Sequence, residues 1–154
     1  MKKVLSVIVA IALVAALGIF ASAETAGEIT VTYTAAESYV VTIPSSQSFS
    51  DASLSSSGTV SATALLEAGK TLKVTMNSAN DFALVCGESS IDYTVSREGA
   101  ILENDACVLE VEAGSTSGSS ELTFATTADD IASATVAGDH IDVVTFSCSL
   151  EAAA

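Results

Sequence analysis

The chain of 154 residues has no tryptophan, one proline, one histidine, and only five lysines and arginines against nineteen acids. Each shortage excludes something. Without tryptophan there is no broad aromatic platform on which a sugar ring would stack. With His140 as the sole imidazole, a zinc site or an acid–base centre has a single nitrogen to draw on. A formal net charge of −14 repels nucleic acid phosphate and anionic lipid alike, so neither is expected as a partner. Beyond the first two dozen residues no long apolar segment of 3.6-residue period occurs, which excludes a helical bundle.

What is present begins with MKKVLSVIVAIALVAALGIFASA. Lys2 and Lys3 precede an apolar run from Val4 to Phe20, and Ala21-Ser22-Ala23 ends it with small residues. This is the pattern of a secretory leader cut between Ala23 and Glu24, rather than of a membrane anchor. A lipoprotein would need a cysteine where Glu24 stands. Removal of residues 1–23 takes two lysines and no acid, so the charge moves from −14 to −16. Residues 24–154 are then expected as one exported domain, long enough to bury a core without staples. No wall or membrane anchor is visible after it.

The remainder beats in twos. EITVTYT puts Ile29, Val31 and Tyr33 on one side and Thr30, Thr32 and Thr34 on the other. SYVVTIP repeats this with Tyr39, Val41 and Ile43 before Pro44 stops the strand. Inward sets are read at Leu72, Val74 and Met76; at Phe82, Leu84 and Cys86; and at Ile91, Tyr93 and Val95. They continue at Cys107, Leu109 and Val111; at Leu122 and Phe124; and at Val144, Phe146, Cys148 and Leu150. Turn signals separate them: SSSG at 55–58, EAGK at 67–70, SAND at 78–81, REG at 97–99, EAGSTSGSS at 112–120 and TADD at 127–130. Only ATALLEA near 62–68 and ADDIASA near 128–134 read as helical turns. Short strands at this spacing predict an all-β fold, an antiparallel sandwich of about seven to nine strands. Glu-Ala-Gly-x-Thr occurs at 67–71 and again at 112–116, either as a duplicated half or as one turn solution used twice.

Candidate chemistry is thin. His140 lies in AGDHIDVV between Asp139 and Asp142, but no Gly-x-Ser-x-Gly supplies a nucleophile, and the bland reading is a polar start to the last strand. Glu103/Asp105 in ENDA and Asp129-Asp130 in TADD are paired loop acids, read first as solvated. They are also the candidate calcium ligands, although no EF-hand spacing is present. Cys86, Cys107 and Cys148 all fall in the inward phase. They read equally as buried thiols and as partners in a disulfide of an oxidising compartment, with Cys107 paired to Cys148 or Cys86. Their odd number leaves at least one free or bonded between chains.

The stretches ITVTYT…YVVTIP, LLEAGKTLKVTMNSANDF, IDYTVS and AGDHIDVVTFSCSLE together resemble small exported proteins of Gram-positive bacteria with an immunoglobulin-like β-sandwich. The ending is also similar to spore-coat-type, pilin-subunit-like and WxL-type surface domains. The likeness spans residues 24–151. Two departures stand out: the Trp-x-Leu wall-binding signature is absent, and His140-Ile141 replaces the usual Tyr-Thr. The resemblance implies a surface or extracellular structural role and carries over no catalytic residue. The expectation is a secreted, non-enzymatic structural or adhesive protein that associates with itself or other surface proteins through strand edges. The alternative is an extracellular binding module for a glycan or a host protein.

Overall fold

A computed structural model describes residues 30–153, and the chain divides into two units, Met1–Thr34 and Ala35–Ala154. The expected leader, its cleavage positions Ala21, Ala23 and Glu24, and Ile29 lie outside the described residues. Within the first unit, Thr30–Thr34 is not a strand, and Val31 and Tyr33 are 89% and 91% exposed. The first expected strand is thereby corrected. β-Branched alternation suits a pleated surface, but a strand exists only where a ladder partner does.

The second unit is mostly β, with ten strands and one short helix. The strands are β1 (Ser38–Thr42), β2 (Ser55–Leu65), β3 (Lys70–Ser78), β4 (Ala83–Cys86), β5 (Ser89–Asp92), β6 (Thr94–Arg97), β7 (Ala100–Ile101), β8 (Ala106–Glu112), β9 (Ser117–Ala125) and β10 (Val144–Ala152). All pairings are antiparallel. A five-stranded sheet runs β1-β2-β9-β6-β7, a three-stranded sheet runs β10-β3-β8, and β4-β5 form a hairpin. Buried side chains of the two larger sheets belong to one hydrophobic cluster.

The two-residue beat is most exact in β3. Leu72, Val74 and Met76 are fully buried, as their alternation requires. In β9, Leu122 and Phe124 are buried as expected, and so are Tyr93 and Val95 around β6. The helix α1 (Ala128–Ala132) occupies the expected turn. Thr127 caps it, with its hydroxyl taking the Asp130 N–H while the Asp130 carboxylate takes the Thr127 N–H.

β2 corrects two expectations at once. SSSG (55–58) is not a turn and ATALLEA is not helical; both lie largely in an eleven-residue strand between β1 and β9. Its core-facing row is Ser56, Gly58, Val60, Ala62 and Ala64. These residues are small, and serine and alanine carry no strand preference of their own, so tertiary pairing decides. β9 answers with Gly118 and Ser120. The hydroxyls of Ser56 and Ser120 are buried without a hydrogen-bond partner.

The small residues let the sheets approach. A methyl group placed on Gly118 would lie 2.8 Å from Val111 Cγ2 and 3.2 Å from Leu109 Cδ1 in β8. Gly118→Ala is therefore expected to lower stability by about 1–2 kcal/mol despite alanine's stiffer backbone, because overpacking outweighs that gain. Urea unfolding checks this, and a stabilised variant would show that the sheets do not meet there.

Four further residues read as inward are placed differently. Tyr39 and Ile43 are 42% and 53% exposed, and only Val41 of that set packs on the core. In β8 a bulge pairs Val74 with Leu109 but Thr75 with Cys107. Both Val108 and Leu109 are buried, and Cys107 is turned to the face away from Val74 and Met76. In β10, Cys148 keeps the core phase, paired to Val74, yet it is exposed.

Candidate functional site

The densest polar arrangement gathers on Asp142, just before β10. Its Oδ2 accepts from Ser78 Oγ at 2.6 Å and from the Tyr93 hydroxyl at 2.6 Å. Its Oδ1 accepts from the Asn80 backbone N–H and side-chain amide, both at 3.1 Å, and from the Val143 N–H at 2.8 Å. Burial pushes this carboxyl's pKa up, but the bonds from Ser78, Tyr93, Val143 and Asn80 outweigh it and hold it below 3.8. Tyr93 is pushed well above 10.0, first by burial and then by its anionic partner.

The same knot holds a strained turn. Asp81 and Phe82 both have left-handed backbones, at φ 57° and 61°, a rare state for an aromatic residue. Ser78 Oγ takes the Phe82 N–H at 2.7 Å, Phe82 O takes the Tyr93 N–H at 2.9 Å, and Asn104 donates to Asp81 at 3.1 Å. Asp142 thus ties the end of β3, the turn after it and the start of β6 to β10. Both its oxygens are committed, so it has no lone pair directed at a substrate.

His140 has the neighbour that the sequence did not reveal. Its Nε2 lies 2.9 Å from Ser89 Oγ, and its Nδ1 lies 3.2 Å from Gly138 O. With Nδ1–H donating to that carbonyl, Nε2 accepts the serine proton. This resembles half of a nucleophilic triad, but Ser89 is 2% exposed and its Oγ also takes the Thr135 N–H at 3.0 Å. Neither Asp139 nor Asp142 bonds the ring. The pair clamps the 133–140 segment to β5. No signal in the sequence distinguishes Ser89 from the other serines.

Beside this knot lies a cleft of about 410 Å³. Phe49, Leu84, Tyr93, Phe124, Ile141 and Phe146 line it, with His140 and Asp142 at its wall. Phe49 and Tyr93 meet at 6.0 Å between ring centroids, and Phe82 stands edge-on to Tyr93 at 5.9 Å. Aromatics are few in the chain, yet they converge here, a feature invisible along the sequence because each comes from a different segment.

The acidic pairs do not converge. Asp105 accepts from Asn77 at 3.0 Å, the Asp130 carboxylate accepts the Thr127 N–H at the start of α1, and Glu103 and Asp129 join no shared cluster. Among the described residues, no three His, Cys, Asp or Glu side chains gather as a metal would require. Cys86, Cys107 and Cys148 are free thiols, Cys86 and Cys107 half-buried and Cys148 exposed. Cys107 and Cys148 sit on opposite faces of their sheet with β3 between them, so they cannot meet. Burial pushes the Cys107 thiol up, and it donates to Leu109 O at 3.6 Å.

The cations after residue 23 are all engaged. Lys70 reaches Glu37 and Glu67, each at 3.0 Å, and Lys73 reaches Glu151 at 2.8 Å and Glu110 at 3.6 Å. Arg97 donates to Cys107 O at 2.9 Å. Among the described residues no helix is long and apolar enough to cross a membrane. No protein-family model matches the chain, and no curated protein matches it significantly.

Proposed function

We propose that the protein is a secreted, non-enzymatic structural or adhesive component of the cell surface or extracellular matrix, associating with itself or other surface proteins through strand edges. One observation carries this reading. Sheet edges are normally blunted by charge, proline or brevity. β8 has Glu110 and Glu112 and β7 is two residues long, but β1 has neither charge nor proline, and β10 has none from Val144 to Leu150. Among the described residues, neither of these two edge strands has a further strand paired to it.

The leader-like residues 1–23 support export. The commitment of Asp142 and the burial of Ser89 support a chain without catalytic machinery. The finer fold we read as an immunoglobulin-like sandwich, on the strength of two antiparallel sheets sharing one core. Its strand order departs from the seven-stranded form, because β10 pairs directly with β3 where a penultimate strand would intervene.

Light scattering across salt and calcium concentrations tests the proposal. The dense negative charge opposes association until ions screen it, within a Debye length of about 8 Å at 0.15 M. The expected result is a mass that rises with protein concentration above roughly that ionic strength. A strict monomer under every condition overturns it. The aromatic cleft favours a second reading, a binding module for a glycan or host protein. A glycan array and a host-protein pull-down separate the two.

A further inference from the structure

The edge of β10 complements itself. We infer that two chains join through their β10 strands, antiparallel and centred on Cys148, to give a two-fold dimer with one continuous six-stranded sheet. The inference rests on the self-associating reading above and names the surface it uses.

Backbone direction comes first. Val143 O accepts from Ala79 at 3.0 Å and Ala153 N–H donates to Gly69 O at 2.7 Å. Hydrogen bonds to β3 therefore fall on the odd residues of β10. The N–H and C=O groups of Val144, Phe146, Cys148, Leu150 and Ala152 point the other way, to the free edge. A two-fold pair centred on one of these makes its central residues a hydrogen-bonded pair, and Cys148 is the midpoint of β10.

Side chains agree with that register. Centring on Cys148 sets Phe146 opposite Leu150, Ser147 opposite Ser149, Val144 opposite Ala152, and Thr145 opposite Glu151. Both Phe146–Leu150 pairs are apolar, the most favourable kind of cross-strand neighbour. No like charges oppose each other, and Glu151 is already matched by Lys73.

The need for cover is also visible. Phe146, Cys148 and Leu150 share a face with Met76, Val74 and Leu72, which are fully buried. Yet Cys148 is exposed and Leu150 is 37% exposed. The core face is left open along the second half of this strand, whereas Val144 and Phe146 pack on the core. The same row from a second copy would extend the face and cover it.

Cys148 supplies the reporter. Directly opposed residues of a hydrogen-bonded pair lie about 5.5 Å apart at Cα, within disulfide reach. With oxidised glutathione as oxidant, two Cys148 thiols transfer two hydrogens to one glutathione disulfide. One interchain bond forms and two glutathione thiols leave.

The test uses the purified protein and a Cys86→Ala/Cys107→Ala form at 0.15 M salt, by sedimentation equilibrium and non-reducing gels. The expected result is a reversible dimer that oxidised glutathione converts to a covalent one. Leu150→Pro is expected to weaken association at least tenfold while the monomer's dichroism is unchanged, because the lost N–H points off the sheet. Leu150→Lys, which retains every backbone group, is expected to do the same. Association that persists in both variants, without Cys148 cross-linking, overturns the β10 interface and leaves self-association through another edge standing. A monomer at every protein concentration, at 0.15 M salt and at all higher salt and calcium concentrations, overturns both.

Discussion

Asp142→Ala is expected to lower the unfolding free energy by roughly 3–5 kcal/mol, among the largest losses available to a single substitution here. Five hydrogen bonds end on this carboxylate, and removing it leaves the hydroxyl protons of buried Ser78 and buried Tyr93 without their acceptor. The left-handed Asp81–Phe82 turn also loses part of its frame. Thermal unfolding should fall by ten degrees or more, since about 1 kcal/mol moves a domain of this size by roughly 3–6 °C. A loss under about 1 kcal/mol would mean that the knot is solvated rather than structural.

The same knot sets the pH limits. Asp142 has a folded pKa below 3.8, so its contribution is present above that value and drains away as pH falls through the lower, folded value. Tyr93 has a folded pKa above 10.0, so its contribution is present below 10.0 and declines as pH rises past it. Asp142→Asn should flatten the acid limb of a stability–pH curve, and Tyr93→Phe the alkaline limb.

Leu72→Ala is the second large effect, expected at about 3–5 kcal/mol. Leu72 is fully buried in the central strand of its sheet, among side chains from both sheets. Its direct partner across the ladder is Leu150, on the same face and 37% exposed. Leu150→Ala should remove less than about 1 kcal/mol from the dilute monomer, because little cavity forms where the site is already open. Denaturant unfolding of both variants measures the contrast. Equal losses would mean that the core face of β10 is covered in the monomer.

Where hydrophobic alternation was strong, the sequence was a good guide. Leu72-Val74-Met76 and Leu122-Phe124 are buried as their spacing requires, and the helical turn read at ADDIASA is present as Ala128–Ala132. β2 was not legible, because its inward row is Ser, Gly, Val, Ala, Ala, and such small residues signal a turn or a helix unless a facing sheet is known. Cys107 was misplaced by one residue of bulge at Val108, which no alternation count registers. Of the site, only His140 and Asp142 stand out in the sequence, as neighbours in AGDHIDVV, and in the fold they bond to other residues rather than to each other. Their true partners, Ser89, Ser78 and Tyr93, lie about 50 to 64 residues away in sequence and became neighbours only on folding.

Amide hydrogen exchange along β10, read residue by residue by NMR, bears most directly on the central claim of an ordered β10–β3 ladder with an open outer edge. In dilute solution the amides of Thr145, Ser147, Ser149 and Glu151 should exchange slowly, and those of Phe146, Cys148 and Leu150 quickly. Raising the protein concentration should slow the second group alone. Uniformly slow exchange along β10 in the dilute sample, or uniformly fast exchange at every concentration, would contradict the ladder and its free edge.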